Sequence, residues 1–97
     1  MPTYIVLAKF TDQGIRNIKE SPKRAEAFRA LCEKLGGRVK DFHWTLGRYD
    51  IVTTVEAPDD ATMNAMLYSV ASLGNVRTET LRASTAQEMS QAIAKMA

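Results

Sequence analysis

Ninety-seven residues make one domain, spanning positions 1–97, and are too few for two separate cores. Hydrophobic residues at 45% and charged residues at 25% exclude a disordered chain, which would need fewer apolar residues and a larger charge imbalance. A formal net charge of +2, with Lys and Arg scattered among acids, argues against a dedicated nucleic-acid binder, which carries a concentrated basic stripe.

The run Tyr4 to Phe10 is rich in β-formers. Val6, Ala8 and Phe10 point one way and Ile5 and Leu7 the other, so both faces are apolar and the strand is expected to be central. Thr11-Asp12-Gln13-Gly14 reads as a turn. Ser21-Pro22 is a helix start, with Ser as N-cap and Pro at the first helical position. Ala25, Phe28, Leu31, Cys32 and Leu35 then form one apolar stripe, which Gly36-Gly37 terminates. The basic positions Lys19, Lys23, Arg24 and Arg29 are interrupted by Glu20 and Glu26, and read as a solvated helix face.

Arg38 to Leu46 reads as a strand and Tyr49 to Ala57 as its return. Gly47-Arg48 between them suits a two-residue type II′ turn, which asks for Gly at its first central position. Asp59-Asp60 caps a second helix carrying Met63, Met66, Leu67 and Val70, closed by Gly74-Asn75. Val76 to Arg82 is a last strand whose polar alternation suits a sheet edge. Thr85 caps a short final helix carrying Met89, Ile93 and Met96. The order βαββαβ plus a C-terminal helix is the ferredoxin-like arrangement, an α+β fold. It has a four-stranded antiparallel sheet with two helices on one face.

The turn sets a register pairing Leu46 with Tyr49, Thr45 with Asp50, Trp44 with Ile51 and His43 with Val52. One face then carries Phe42, Trp44, Leu46, Tyr49, Ile51 and Val55, and belongs under the helices. The other carries Val39, Asp41, His43, Thr45, Asp50, Val52, Thr54 and Glu56. A bulge in the hairpin would exchange these faces. The second face has an apolar middle and a polar margin, and no helix covers it. A second copy of the chain is the simplest cover, so a homo-oligomer of at least two chains is expected.

Candidate catalytic residues are His43, Asp50 and Tyr49. Asp50, diagonal to the only histidine, would orient it as a base, although a plain cross-strand polar pair is the simpler reading of the two. Asp50 also has a structural reading, as an acceptor for hydrogen bonds after the hairpin. Trp44, Tyr49 and Thr45 are candidate ligand-binding residues. For Trp44 and Tyr49 the simpler reading is core aromatics. One His, one Cys and dispersed carboxylates assemble no metal shell, and no phosphate loop, dinucleotide fingerprint or serine elbow is present, so no cofactor is expected. Cys32 alone forms no internal disulfide, which suits a reducing compartment. The stretch Met1-Pro2-Thr3-Tyr4 has no basic leader, and the following apolar run is too short for a membrane segment. The expected location is the cytoplasm, with no membrane partner.

The stretch Thr45-Leu46-Gly47-Arg48-Tyr49-Asp50-Ile51-Val52 resembles the signature of the GYD domain family. Tyr4 to Phe10, Ser21-Pro22-Lys23-Arg24-Ala25 and Gly74-Asn75-Val76-Arg77-Thr78 are similar too, so the resemblance covers roughly residues 3 to 83. Arg48 stands between Gly47 and Tyr49, a G-x-Y-D form. The resemblance implies a relation to dimeric α/β-barrel proteins, in which two ferredoxin-like sheets face each other. It marks Gly47, Tyr49 and Asp50 as signature positions and supplies no catalytic role. Three functions follow as expectations. The first is a homo-oligomeric small-ligand-binding or assembly module. The second is a cofactor-independent oxygenase- or isomerase-like enzyme with its site between sheet faces. The third is RNA binding, with Tyr4 and Phe10 as stacking residues.

Overall fold

Alternating apolar side chains in the first run build β1 (Thr3–Phe10), and the computed structural model, which describes residues 1–97, places it inside the sheet. The elements that follow are α1 (Asp12–Arg16), a 3-10 turn (Ile18–Glu20), α2 (Ser21–Lys34), β2 (Arg38–Trp44), β3 (Ile51–Glu56), α3 (Asp60–Ala71), β4 (Val76–Ala83) and α4 (Ala86–Ala94). The strands lie in the order β2-β3-β1-β4, all neighbours antiparallel. This is the ferredoxin-like βαββαβ arrangement, with β1 and β3 central and β2 and β4 at the edges.

One sheet face carries Tyr4, Val6, Val39 and Val55, which pack with Phe28 and Cys32 of α2 and Met63, Met66 and Leu67 of α3. A second, smaller cluster of Ala8, Ile51 and Val76 lies further along the same face, and Phe42 and Val70 touch both. The Tyr4 hydroxyl donates to the Asp60 carboxylate. Burial, and then that carboxylate, push the phenol up to about 12. Asp59 caps α3 by accepting from the Thr62 N–H at 2.8 Å, so the two consecutive acids divide the work.

The turn expected at residues 11–14 is the start of a helix. Thr11 caps α1 by accepting from the Gly14 N–H, and its hydroxyl donates to the Gly74 carbonyl at 2.5 Å. Ser21 is not the N-cap of α2. The chain enters that helix directly from the 3-10 turn, so Ser21 is already helical, and its buried hydroxyl is turned to another partner.

The hairpin pairs Trp44 with Ile51 and His43 with Val52, as the turn register requires. Its end is looser than a two-residue turn. The outermost bond runs from the Thr45 N–H to the Asp50 carbonyl at 2.9 Å, leaving Leu46 to Tyr49 as a four-residue connection, with Gly47 at φ +95°. A bulge between Val39 and Asp41 inserts one residue and reverses the alternation below it. Val39 is therefore buried opposite Val55 on the helix side, not on the open face with Asp41 and His43.

Candidate functional site

The sheet face opposite the helices has no cover within the chain. Strand pairing aligns Ile5 with Thr54 and Leu81, and Leu7 with Val52 and Glu79. Ile5, Leu7 and Val52 are partly buried, while Leu81 is 53% exposed. Around this apolar middle stand Lys9 and Arg77, which face each other across β1 and β4, together with Glu79, His43, Asp41 and the ion pair Arg38–Glu56. The Arg38 guanidinium holds the Glu56 carboxyl below the usual glutamate range.

Tyr49 belongs to this face. The turn register assigned it to the helix side, but the wider connection frees it from strand alternation. Its hydroxyl lies 3.3 Å from a Glu79 oxygen, and the Lys9 ammonium and the Arg48 guanidinium sit 5.7 Å and 5.5 Å from its ring centroid. Asp50 is placed differently. Its carboxylate accepts from the Phe10 N–H at 2.8 Å, while its own N–H donates to the Ala8 carbonyl at 2.9 Å. It extends the β1–β3 ladder by one rung past the last paired residue. His43 is exposed on edge strand β2 and pairs with Val52, two residues along β3 from Asp50. No hydrogen bond or ion pair joins it to Asp50, so the expected His–Asp pair is not formed. Thr45 donates to the Tyr49 carbonyl at 2.6 Å and braces the connection.

Trp44 lies on the other side of the sheet. Its ring packs against Phe42 at 4.9 Å between centroids, tilted by 56°, and its indole N–H donates to the Ser21 hydroxyl at 2.9 Å. It remains 48% exposed. The candidate ligand-binding set therefore divides: Tyr49 faces the open sheet, and Trp44 the helix layer.

Beside Trp44 a cleft of about 150 Å³ opens between α2, α3 and the sheet. Phe42 and Ser21 line it directly, with Val6, Ile51, Phe28 and Val70 among its apolar walls. It lies where the two core clusters fail to merge. Ala8, Ala25 and Ala27 are too small to close the space. Arg24 is the one charged residue in the lining. Reading it as part of a solvated face was wrong. It is partly buried, and its guanidinium donates to the Asn17 carbonyl at 3.0 Å and the Gly14 carbonyl at 3.3 Å. The available signal was its spacing from Ser21: positions i and i+3 share one side of a helix.

Comparison with known proteins places these features in a family. A sequence model of the GYD domain matches residues 4–93. A Thermus thermophilus protein named glutamine synthetase and cystathionine beta-lyase binding protein is 40% identical over 84 residues, covering 86% of this chain and 88% of the relative. The crystal structure of TTHA0845, also from Thermus thermophilus, aligns with a TM-score of 0.57 at 27% identity, over 89% of this chain and 96% of that one. The crystal structure of FFRP-DM1 aligns with a TM-score of 0.62 at 19% identity, over 87% of this chain and 100% of that one, a likeness of fold.

Proposed function

The chain belongs to the GYD domain family, and from that premise we propose that it is a homo-oligomeric assembly module, closed sheet face to sheet face and docking on larger protein partners. The observation that carries the reading is the open face, where Ile5, Leu7, Val52 and Leu81 form an apolar centre that no helix covers. Water contact along such a strip is unfavourable by roughly 25 cal/mol per Å² of apolar surface. The rim carries both signs, Lys9 and Arg77 against Glu79, so the face suits a twofold-related copy of itself. The name of the 40% identical relative, a binding protein for two enzymes, supports protein partners.

The other two readings find less support. An oxygenase- or isomerase-like site on this face asks for a base with an orienting partner, and His43 has none. RNA stacking asks for aromatics on the open face. Tyr4 is buried under α3, and Phe10 lies on that same helix side of β1.

Light scattering on the purified chain tests the oligomer. The unaltered protein is expected at twice its 10.8 kDa mass or more, and Leu81→Asp, which puts a charge in the centre of the face, shifts it toward the monomer. A strictly monomeric unaltered protein at high micromolar concentration overturns the oligomer. Injecting purified glutamine synthetase and purified cystathionine β-lyase over the immobilised protein tests the partner class, which fails if neither binds.

A further inference from the structure

The cleft under the helices lies on the opposite side of the sheet from the proposed association face, so what it does is a separate question. Most of its lining side chains are apolar, and the polar ones are Ser21, Arg24, Thr53, Ser69, Asn75 and Thr78. Arg24 donates to the Gly14 carbonyl, and Gly14 abuts the Asn75 backbone so closely that an added Cβ would lie 2.0 Å from the Asn75 oxygen. Arg24 and Asn75, both in the lining, are therefore neighbours, and Ser21 sits one turn before Arg24 on α2.

Arg24 caps carbonyls at the C-terminal end of α1, and two further features bear on what the cleft could hold. It sits in the first turn of α2, where the helix dipole disfavours a cation. It is also partly buried with no carboxylate within ion-pair distance, because the ion pairs of the chain are Lys23–Glu20, Arg38–Glu56 and Arg82–Glu88. Its two carbonyl partners at the end of α1 accept hydrogen bonds, and no carboxylate meets the charge. A guanidinium has five N–H donors in a planar fork, and the two bonds it makes leave donors free for a planar anion.

We propose that the cleft binds a small monocarboxylate, with an apolar body of about one ring in the space between α2, α3 and the sheet and its carboxylate on Arg24. The volume sets the body: an apolar cavity of about 150 Å³ is the size that accommodates a benzene ring, well below the several hundred Å³ of a site for larger ligands. The single cation sets the charge at one. Ser21 and Asn75 stand at the charged end to complete the polar contacts, while Phe28, Phe42 and Ile51 face the body.

Benzoate and benzyl alcohol, two probes of the same body with and without the charge, test this on the full chain by NMR titration. Benzoate is expected to bind saturably, shifting signals of Val6, Phe28 and Ile51, and about tenfold or more tighter than benzyl alcohol. Arg24→Gln should remove that advantage. Ala25→Leu, which fills the cleft from α2, should block both probes. Saturable benzoate binding cannot be missing if the site is real, so its absence overturns the proposal. Equal affinity for the two probes on the unaltered protein overturns the carboxylate assignment without relying on any variant. Benzoate binding that survives Ala25→Leu places the ligand elsewhere and overturns the site. A failure of sheet-face association would leave all of these outcomes readable, since none of them involves that face.

Discussion

Asp50 shows how one carboxylate can hold two central strands in register beyond their last paired residues. It supplies an acceptor for the Phe10 N–H where the β3 backbone has turned away into the hairpin connection. Asp50→Ala leaves that partly buried N–H without a partner, and the expected loss is about 1–3 kcal/mol of unfolding free energy in urea. Asp50→Asn keeps an acceptor and should lose less. Equal stability of Asp50→Ala and the unaltered protein would mean that water replaces the carboxylate. Cys32 makes the opposite point, that an isolated nucleophile in the core is inert. It is fully buried in the main cluster, and burial pushes its thiol up to about 11. Thiol-reactive dye is expected to label it only in denaturant. Prompt labelling of the native protein would reveal opening of α2 from the sheet.

At the scale of elements, α4 stands apart. None of its residues is buried, and Met89 and Ile93 are more than half exposed. What holds it as a helix is local: Thr85 accepts from the Glu88 N–H, and the Glu88 carboxylate accepts from the Thr85 N–H, each at 3.1 Å. Arg82 adds an exposed ion pair to Glu88 at 3.7 Å. The Thr85 N–H first, then its hydroxyl and Arg82, hold the Glu88 carboxyl below the usual glutamate range. A depressed folded value means that this contribution is present above the ordinary glutamate range and is lost as pH falls through the folded value. Helical chemical shifts of residues 86–94 should therefore fade on acidification before those of α2 and α3 do. Simultaneous loss in all three helices would tie α4 to the core. Thr85→Ala should weaken the same helix by about 1 kcal/mol at neutral pH.

The whole molecule is longer than its chain length requires. Its radius of gyration is 14.6 Å, against about 12–13 Å for a compact domain of this size, and its extents are 51 × 31 × 19 Å. An uncovered sheet face on one side and a solvated C-terminal helix are the sources of the excess. A chain ending at residue 84 is expected to keep its unfolding free energy in urea within about 0.5 kcal/mol, because the removed segment contributes no buried residue. A larger loss would show that α4 is clamped against a neighbour in solution, which the same light-scattering experiment would register as a change of mass.

The order of strands and long helices was legible in the sequence because each follows from local chemistry. β-branched runs, the Asp59 and Thr85 caps and the glycines at 36 and 74 act within a few residues of themselves. The pairing of His43 with Val52 was legible too, since a short connection fixes the phase of both strands. Tertiary structure alone decided the bulge that buries Val39, the widening that sends Tyr49 to the open face, and the role of Gly14. Each of these depends on a partner distant in the chain. Gly14 is small because the Asn75 backbone passes over it, which no turn preference can reveal. The candidate site divides in the same way. The apolar open face could be anticipated from alternation along β1, a property of one segment. The cleft with Arg24 at its end could not, because it exists only where two clusters of side chains from separate helices and strands fail to meet.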